Sequence, residues 1–292
     1  MGEKSSAPSR PTATVPTMDI QERQARSLVV GEFGRASVEN VARFAVPLFI
    51  VKAGRFSAVR PEQNQGLLLN GTAFFVNLGA GAFAVTANHV IEIALGEDVV
   101  LCGLFPIQYC PPASSLLKLD DLAGRMISRD IARDIATFRL SAEEVKQLGA
   151  SVLTAPPVIP VQRIGGVAFA GFPGHQRTVV GLEQLRTGPE VTLSFAVFPG
   201  FGVAASVSES QVTFQFDFEH LVRTPGFDAP TPDFDLGGMS GGPFLTRVMT
   251  PGGIEYWAPA GVITQGRMLP EHHSGLLFAA RLDCVRPDGR IE

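Results

Sequence analysis

Three short stretches of this chain hold residue types from which an acyl-transfer site can be built. Gly238-Met239-Ser240-Gly241-Gly242-Pro243 sets a serine among glycines just before an apolar run that begins Phe244-Leu245. A nucleophilic hydroxyl must project from a tight turn whose backbone amides point into the same space, and small residues let a carbonyl group approach those amides. Ala84-Val85-Thr86-Ala87-Asn88-His89-Val90 reads as an apolar strand ending in a short polar turn that presents a single histidine. Imidazole at the edge of a core is suited to general-base work. Asp134-Ile135-Ala136-Thr137-Phe138-Arg139-Leu140 places an acid at the head of another apolar strand. A carboxylate there can accept the Nδ1 proton of an imidazole, fix its tautomer and stabilise the imidazolium formed in reaction.

Each stretch also has a plainer reading: a glycine-rich turn, a hydrogen-bonded structural histidine, a solvated turn acid. Their joint presence favours the chemical one. Asp130 also opens an Asp-Ile-Ala sequence, but Arg133 and Asp134 then fall where its strand should be apolar, so Asp134 is preferred. His175 and His220 read as loop residues, and His272-His273 lacks a spaced carboxylate or cysteine partner for a metal. No Walker or dinucleotide-binding pattern occurs, and no cofactor or metal is expected.

Strands must position these groups. Apolar or alternating runs punctuated by Gly, Asn and Pro predict strands over residues 44–51, 71–78, 82–86, 99–104 and 135–140. A helical or loop stretch over 142–148 and the proline-rich 155–160 interrupt the pattern. A second set follows over 167–170, 178–182, 191–198, 212–218, 242–248, 256–264 and 276–282. The expected organisation is a disordered tail over 1–18, an N-terminal extension over 19–43 with short helices, a first barrel over 44–150 carrying His89 and Asp134, and a second over 151–292 carrying Ser240. Between Phe218 and Gly237, Pro225, Pro230, Pro232, Asp228, Asp233 and Asp235 predict a long surface loop.

Composition agrees with an all-β globular chain: 292 residues, 45% hydrophobic and 18% charged, with 31 Gly and 22 Pro to make turns. A formal charge of −4 without a basic run argues against nucleic acid as a partner. Cys102, Cys110 and Cys284 form neither a CxxC pair nor an even set, so reduced thiols are expected rather than disulfides. No apolar stretch suits a secretory signal or a membrane span, and a cytoplasmic, membrane-free protein is expected. Met1-Gly2 with Ser6 fits an N-myristoylation site only loosely.

The order His, Asp, Ser and the three motifs resemble the trypsin/chymotrypsin superfamily, and within it the bacterial trypsin-like, HtrA-type branch. His89 lies in a likeness of the family's Thr-Ala-x-His, Asp134 of its Asp-Ile-Ala-x-x-x-Leu, and Ser240 of its Gly-x-Ser-Gly-Gly-Pro, with resemblance extending over about residues 44–282. It implies a chymotrypsin-like fold of two antiparallel six-stranded β-barrels and a serine endopeptidase acting on peptide or protein substrates through His89, Asp134 and Ser240. The alternative is an inactive scaffold of the same fold that binds a peptide or protein partner. The resemblance assigns the oxyanion hole to the amides of Gly238 and Ser240. It likens Gly261-Val262-Ile263-Thr264-Gln265-Gly266 to the segment that pairs with substrate backbone, Thr264 standing near Asp134 and Gly266 bonding the peptide. Gly71-Thr72-Ala73-Phe74 matches the start of the strand before the histidine strand.

Two departures carry consequences. Met239 stands where digestive enzymes carry an Asp that pairs with a freshly cut N-terminus, so activation by that ion pair is excluded. The loop at about 219–236 is then the expected controlling element rather than the tail, and no PDZ domain is expected after the second barrel. Phe234, six residues ahead of Ser240, matches the base of the primary specificity pocket and implies a shallow or apolar one. A one-residue shift would bring in Asp233 or Asp235 and favour basic side chains instead.

Overall fold

The structure is a computed structural model that describes residues 40–54, 66–106, 116–162, 166–174, 177–185, 188–195, 197–217, 234–272 and 274–292. The expected tail over 1–18, the extension up to residue 39, most of the 218–237 loop, Cys110, His175, His220, Asp233 and His273 lie outside these residues.

The fold is all-β, as expected, and its described strands form an eight-stranded sheet, a closed six-stranded barrel and a separate two-stranded hairpin. The first holds β1 (Ala45–Lys52), β2 (Leu68–Asn77), β3 (Ala82–Ala87), β4 (Val99–Leu104), β5 (Leu117–Lys118), β6 (Met126–Asp130), β7 (Ile135–Arg139) and β8 (Val152–Leu153). Its order is β5-β4-β1-β2-β3-β7-β6 with β8 parallel to β2, and it curls into a half-barrel. Then come β9 (Val167–Gly171), a hairpin of β10 (Arg177–Leu185) and β11 (Gly188–Phe195), and β12 (Phe198–Val207). They are followed by β13 (Gln211–Asp217), β14 (Pro243–Met249), β15 (Glu255–Leu269) and β16 (Ser274–Arg281). Six of these close a barrel in the order β12-β13-β16-β15-β14-β9.

Residues on β2 show why the strands read as unbroken apolar runs instead of alternating. Ala73 and Phe75 enter the core of the first sheet, whereas Phe74 and Val76 join a cluster with Ala168, Ala170, Leu245, Val262 and Ala280 of the barrel. Successive side chains point to opposite faces, and here both faces are covered, one by the sheet's own lobe and one by its neighbour. On β9 the same division sends Val167 and Phe169 into the barrel and Ala168 and Ala170 into the interface. The two lobes are therefore joined by a continuous apolar layer.

Helices are few. α1 (Asn88–Ala94) follows β3 directly, where a polar turn was expected; α2 (Leu122–Arg125) is one turn; α3 (Ala142–Leu148) fills the predicted 142–148 stretch. Ser141 and Glu144 form a capping box at its start, and Gly149, at φ +65°, ends it. The strand expected over 191–198 is two strands, β11 and β12, and β12 runs on through Gly200 and Gly202. Those glycines are packing residues: a Cβ would lie 2.3 Å from the Phe169 ring at Gly200 and 2.5 Å from the Phe214 ring at Gly202.

The segment 151–292 does not serve the barrel alone. β8 joins the first sheet, and after β16 the chain returns to it, where Gly289 O accepts from Thr137 Oγ1 at 2.6 Å and Ile291 N donates to Ser128 Oγ at 3.2 Å. Among the described residues, no helix is long and apolar enough to cross a membrane, and no cluster of three His, Cys, Asp or Glu could hold a metal ion.

Candidate active site

Strand register brings His89 to Asp134. β3 and β7 are antiparallel with Ala87 opposite Ile135, so the chain leaving β3 and the chain entering β7 meet at one end of the ladder. Asp134 is the last residue of the turn that joins β6 to β7 and has φ +60°, a left-handed conformation that Asp tolerates better than most residues. α1 begins with no side-chain cap of its own, leaving first-turn amides to be satisfied from outside. Asp134 satisfies two of them: its carbonyl accepts from Asn88 N at 3.1 Å and its Oδ1 from His89 N at 2.8 Å. Its Oδ2 lies 2.7 Å from His89 Nδ1. One carboxylate thus fixes the start of the helix and the plane of the imidazole together, leaving Nε2 as the outward nitrogen. The histidine side chain is 42% exposed and the aspartate 27%, placing the pair at a surface that a substrate can reach.

Asp130 has different work. Its Oδ1 accepts from Arg133 N at 2.9 Å and its Oδ2 pairs with Arg133 Nη1 at 2.8 Å, closing the turn that presents Asp134. Beside His89, Asn88 accepts from Arg129 Nε at 2.7 Å and donates to Glu92 at 3.1 Å. This polar brace ties β6 to α1.

On the other lobe, the serine loop is built around two glycines with positive φ, Gly238 at +93° and Gly241 at +90°. A Cβ at Gly241 would lie 1.8 Å from Thr72 O, so only glycine admits this approach of the two lobes. Ser240 O accepts from Thr72 N at 2.8 Å, and Gly241 N donates to Ile263 O at 2.7 Å. Among the described residues the amides of Gly238 and Ser240 donate to no protein acceptor, which leaves both for an oxygen bound in the turn. Ser240 Oγ donates to Thr264 O at 3.1 Å, and no hydrogen bond joins it to His89. Serine and imidazole are often loosely coupled before substrate arrives.

Thr264 does not bond Asp134. It is the extra residue where the pairing of β15 with β16 slips between Ile263 and Gln265, and this turns its hydroxyl to Phe278 O at 3.2 Å. Beyond Val262, β15 has left β14, so Thr264, Gln265 and Gly266 have no strand partner on that side among the described residues. Gln265 is exposed.

Phe234 is 4% exposed and belongs to the barrel core, its ring 5.3 Å from that of Phe198. Asp235 is exposed, and its carboxylate accepts from Gly237 N at 2.7 Å, a local turn rather than a pocket floor. Leu236 packs against Gly266, where a Cβ would lie 2.7 Å from Leu236 Cβ. Met239 is fully buried, its sulfur and methyl filling the space that a side chain at Gly171 would take.

The Cys102 thiol is pushed up to about 12 by burial, and burial also raises Cys284. Both are free thiols, and burial disfavours the thiolate form that would act as a nucleophile. Thr72, to which the sequence assigns no role, holds the serine loop to β2, with Thr86 bonded to its carbonyl and Asn70 to the neighbouring Phe172 O. Their signal was present in the strand pattern, because a buried apolar run with polar residues at alternate positions asks for partners across the interface.

No protein-family model matches the chain, and no curated protein matches it. Among solved structures, it is similar to the thermostable serine protease AL20 from an extremophilic microorganism, 13% identical over 82% of this chain and 91% of that one, with a TM-score of 0.44. It is also similar to the serine protease domain of the Sesbania mosaic virus polyprotein, at 13% identity, 80% and 87% coverage and a TM-score of 0.36. Protease Anisep from Arthrobacter nicotinovorans gives 11%, 82% and 90%, and 0.36. Likenesses this distant transfer no residue and do not single out the HtrA-type branch.

Proposed function

We propose that the chain is a serine endopeptidase in which Ser240 attacks a peptide carbonyl with His89 as general base and Asp134 as its orienting partner. The observation that carries this is the double grip of the Asp134 carboxylate on His89, at 2.8 Å to the amide and 2.7 Å to Nδ1. In the reaction, Ser240 Oγ turns from Thr264 O to His89 Nε2, gives up its proton and forms a bond to the carbonyl carbon. The oxyanion is received by the amides of Gly238 and Ser240, each worth on the order of 3 kcal/mol in the transition state. The imidazolium returns the proton to the leaving amine, and water then hydrolyses the acyl-enzyme by the same route.

The substrate would lie as an added strand along Thr264, Gln265 and Gly266. The Asp235 carboxylate is already engaged by Gly237 N, and Phe234 and Leu236 beside it are apolar, so small or apolar side chains are the expected preference. Membership of the HtrA-type branch rests on the three sequence motifs alone. Cleavage-site profiling on a peptide library, paired with labelling by a fluorophosphonate, tests the activity and the preference together. A protein that leaves every peptide intact and takes up no label is not a protease.

A second reading, a scaffold that binds peptides without turnover, is favoured by one observation: Ser240 Oγ donates to Thr264 O rather than to His89. Stoichiometric labelling of Ser240 eliminates it.

A further inference from the structure

We infer that Thr72, a residue of the first lobe, is the positioning residue that sets the oxyanion loop of the second; the inference rests on the protease reading above. Period-2 geometry puts Asn70, Thr72, Phe74 and Val76 on the face of β2 that looks at the barrel. The far end of this row, Phe74 and Val76, is part of the apolar interface. The near end is polar and reaches the serine loop.

Thr72 is fully buried, and its hydroxyl is used in both directions. It donates to Gly238 O at 2.8 Å and accepts from Phe172 N at 3.0 Å. Its backbone N–H donates to Ser240 O, and its carbonyl accepts from Thr86 Oγ1 at 2.7 Å. Next to it, Asn70 Nδ2 donates to Phe172 O at 2.7 Å, so β2 holds both backbone groups of Phe172.

These bonds matter because peptide units are planar, and in a trans unit the N–H points opposite to the C=O. The Gly238 amide belongs to the unit whose carbonyl, Gly237 O, accepts from Gly174 N at 2.6 Å. The Ser240 amide belongs to the unit whose carbonyl, Met239 O, accepts from Gly242 N at 2.9 Å. The unit between them has its N–H on Leu236 O at 3.1 Å and its carbonyl on the Thr72 hydroxyl. Three successive peptide planes are thereby pinned, and the middle pin is the side chain of Thr72. Gly238 has no Cβ to restrict its own rotation, so its restraint has to come from outside. Met239 offers no charge for the purpose. The hydroxyl thus makes the direction of the oxyanion amides depend on docking of the two lobes.

The test compares Thr72→Val with Thr72→Ser, using wild type and Ser240→Ala as references. Readouts are kcat and KM on a peptide found by library profiling, the rate of fluorophosphonate inactivation, and the Gly238 amide resonance in glycine-labelled protein. Thr72→Val should lower kcat by roughly 10- to 100-fold, the scale of a misaligned site, with KM little changed. The Gly238 resonance should move, and Thr72→Ser should restore both. If Val at this position prevents folding, Thr72→Ala against Thr72→Ser makes the same comparison, since those two differ only in the hydroxyl. Equal kcat with and without the hydroxyl, together with an unmoved Gly238 resonance, overturns the inference. Wild type that neither cleaves nor labels overturns the protease reading instead, and the Gly238 resonance alone then decides whether the hydroxyl holds the loop.

Discussion

Replacing Asp134 by Asn exchanges one acceptor oxygen for an NH2 group at a position where both carboxylate oxygens are in use. Oδ1 accepts from His89 N at 2.8 Å and Oδ2 faces His89 Nδ1 at 2.7 Å. Asn can still accept from the amide N–H and keep α1 in place, and it tolerates φ +60° as Asp does. Its NH2 group then meets Nδ1, which must become the acceptor, and the proton moves to Nε2. Imidazole in that tautomer cannot take the Ser240 proton. The expected loss in kcat is about 10⁴-fold, or about 5.4 kcal/mol of transition-state stabilisation, with stability lowered by only about 1–2 kcal/mol. Steady-state hydrolysis of a library-derived peptide gives the first number and urea unfolding the second. Asp130→Asn is the control, because among the described residues the Asp130 carboxylate bonds to Arg133 and not to His89, and the change should alter kcat by less than about tenfold. Activity of Asp134→Asn within tenfold of wild type, or a larger loss from Asp130→Asn, would refute the pairing argument.

Ser240→Ala should abolish turnover and fluorophosphonate uptake while leaving unfolding free energy within about 1 kcal/mol, since the hydroxyl's one bond is to Thr264 O; residual hydrolysis by purified variant would point to another nucleophile. Gly241→Ala places a Cβ 1.8 Å from Thr72 O at a φ of +90° and should cost at least about 2–3 kcal/mol and all activity, read from a urea midpoint and a peptide assay; a neutral result would mean the lobes approach less closely than described. Glu144 is held below the usual carboxylate range, chiefly by its hydrogen bond from Arg125, so its contribution is present above the ordinary Glu pKa and fades as pH falls through its lowered folded value. Glu144→Gln should therefore destabilise by about 1 kcal/mol at neutral pH and by less in acid, a convergence that denaturation curves at the two pH values can confirm or deny.

Much of the site was legible because its chemistry is local in sequence. The glycines around Ser240, the apolar strand before His89 and the acid before Ile135 each reflect a constraint that acts within a few residues. The choice of Asp134 over Asp130 could also be made locally, by asking where the apolar strand begins. What failed were readings that depended on a neighbour from elsewhere in the chain. The run over 191–198 looks like one strand, yet Phe198 opens a second, β12, whose Gly200 and Gly202 lie against the rings of Phe169 and Phe214. Asn88 and His89 look like a turn until Asp134 caps the helix they begin. The resemblance sets Thr264 near Asp134, but it is one slipped residue in the β15–β16 ladder that decides its hydroxyl bonds Phe278 O.

By itself, then, the sequence determined the class of fold, the strand content and the three residue types that could perform acyl transfer, because these follow from periodicity and from the short-range demands of turns. Which groups meet is a matter of packing. The register of Ala87 with Ile135 brings Asp134 to His89, and packing of β2 against the barrel brings Thr72 to Gly238 and Ser240. Such meetings depend on ladder alignment and on the closeness of two lobes more than a hundred residues apart in sequence, as Thr72 and Gly238 are, and no spacing along the chain encodes that distance.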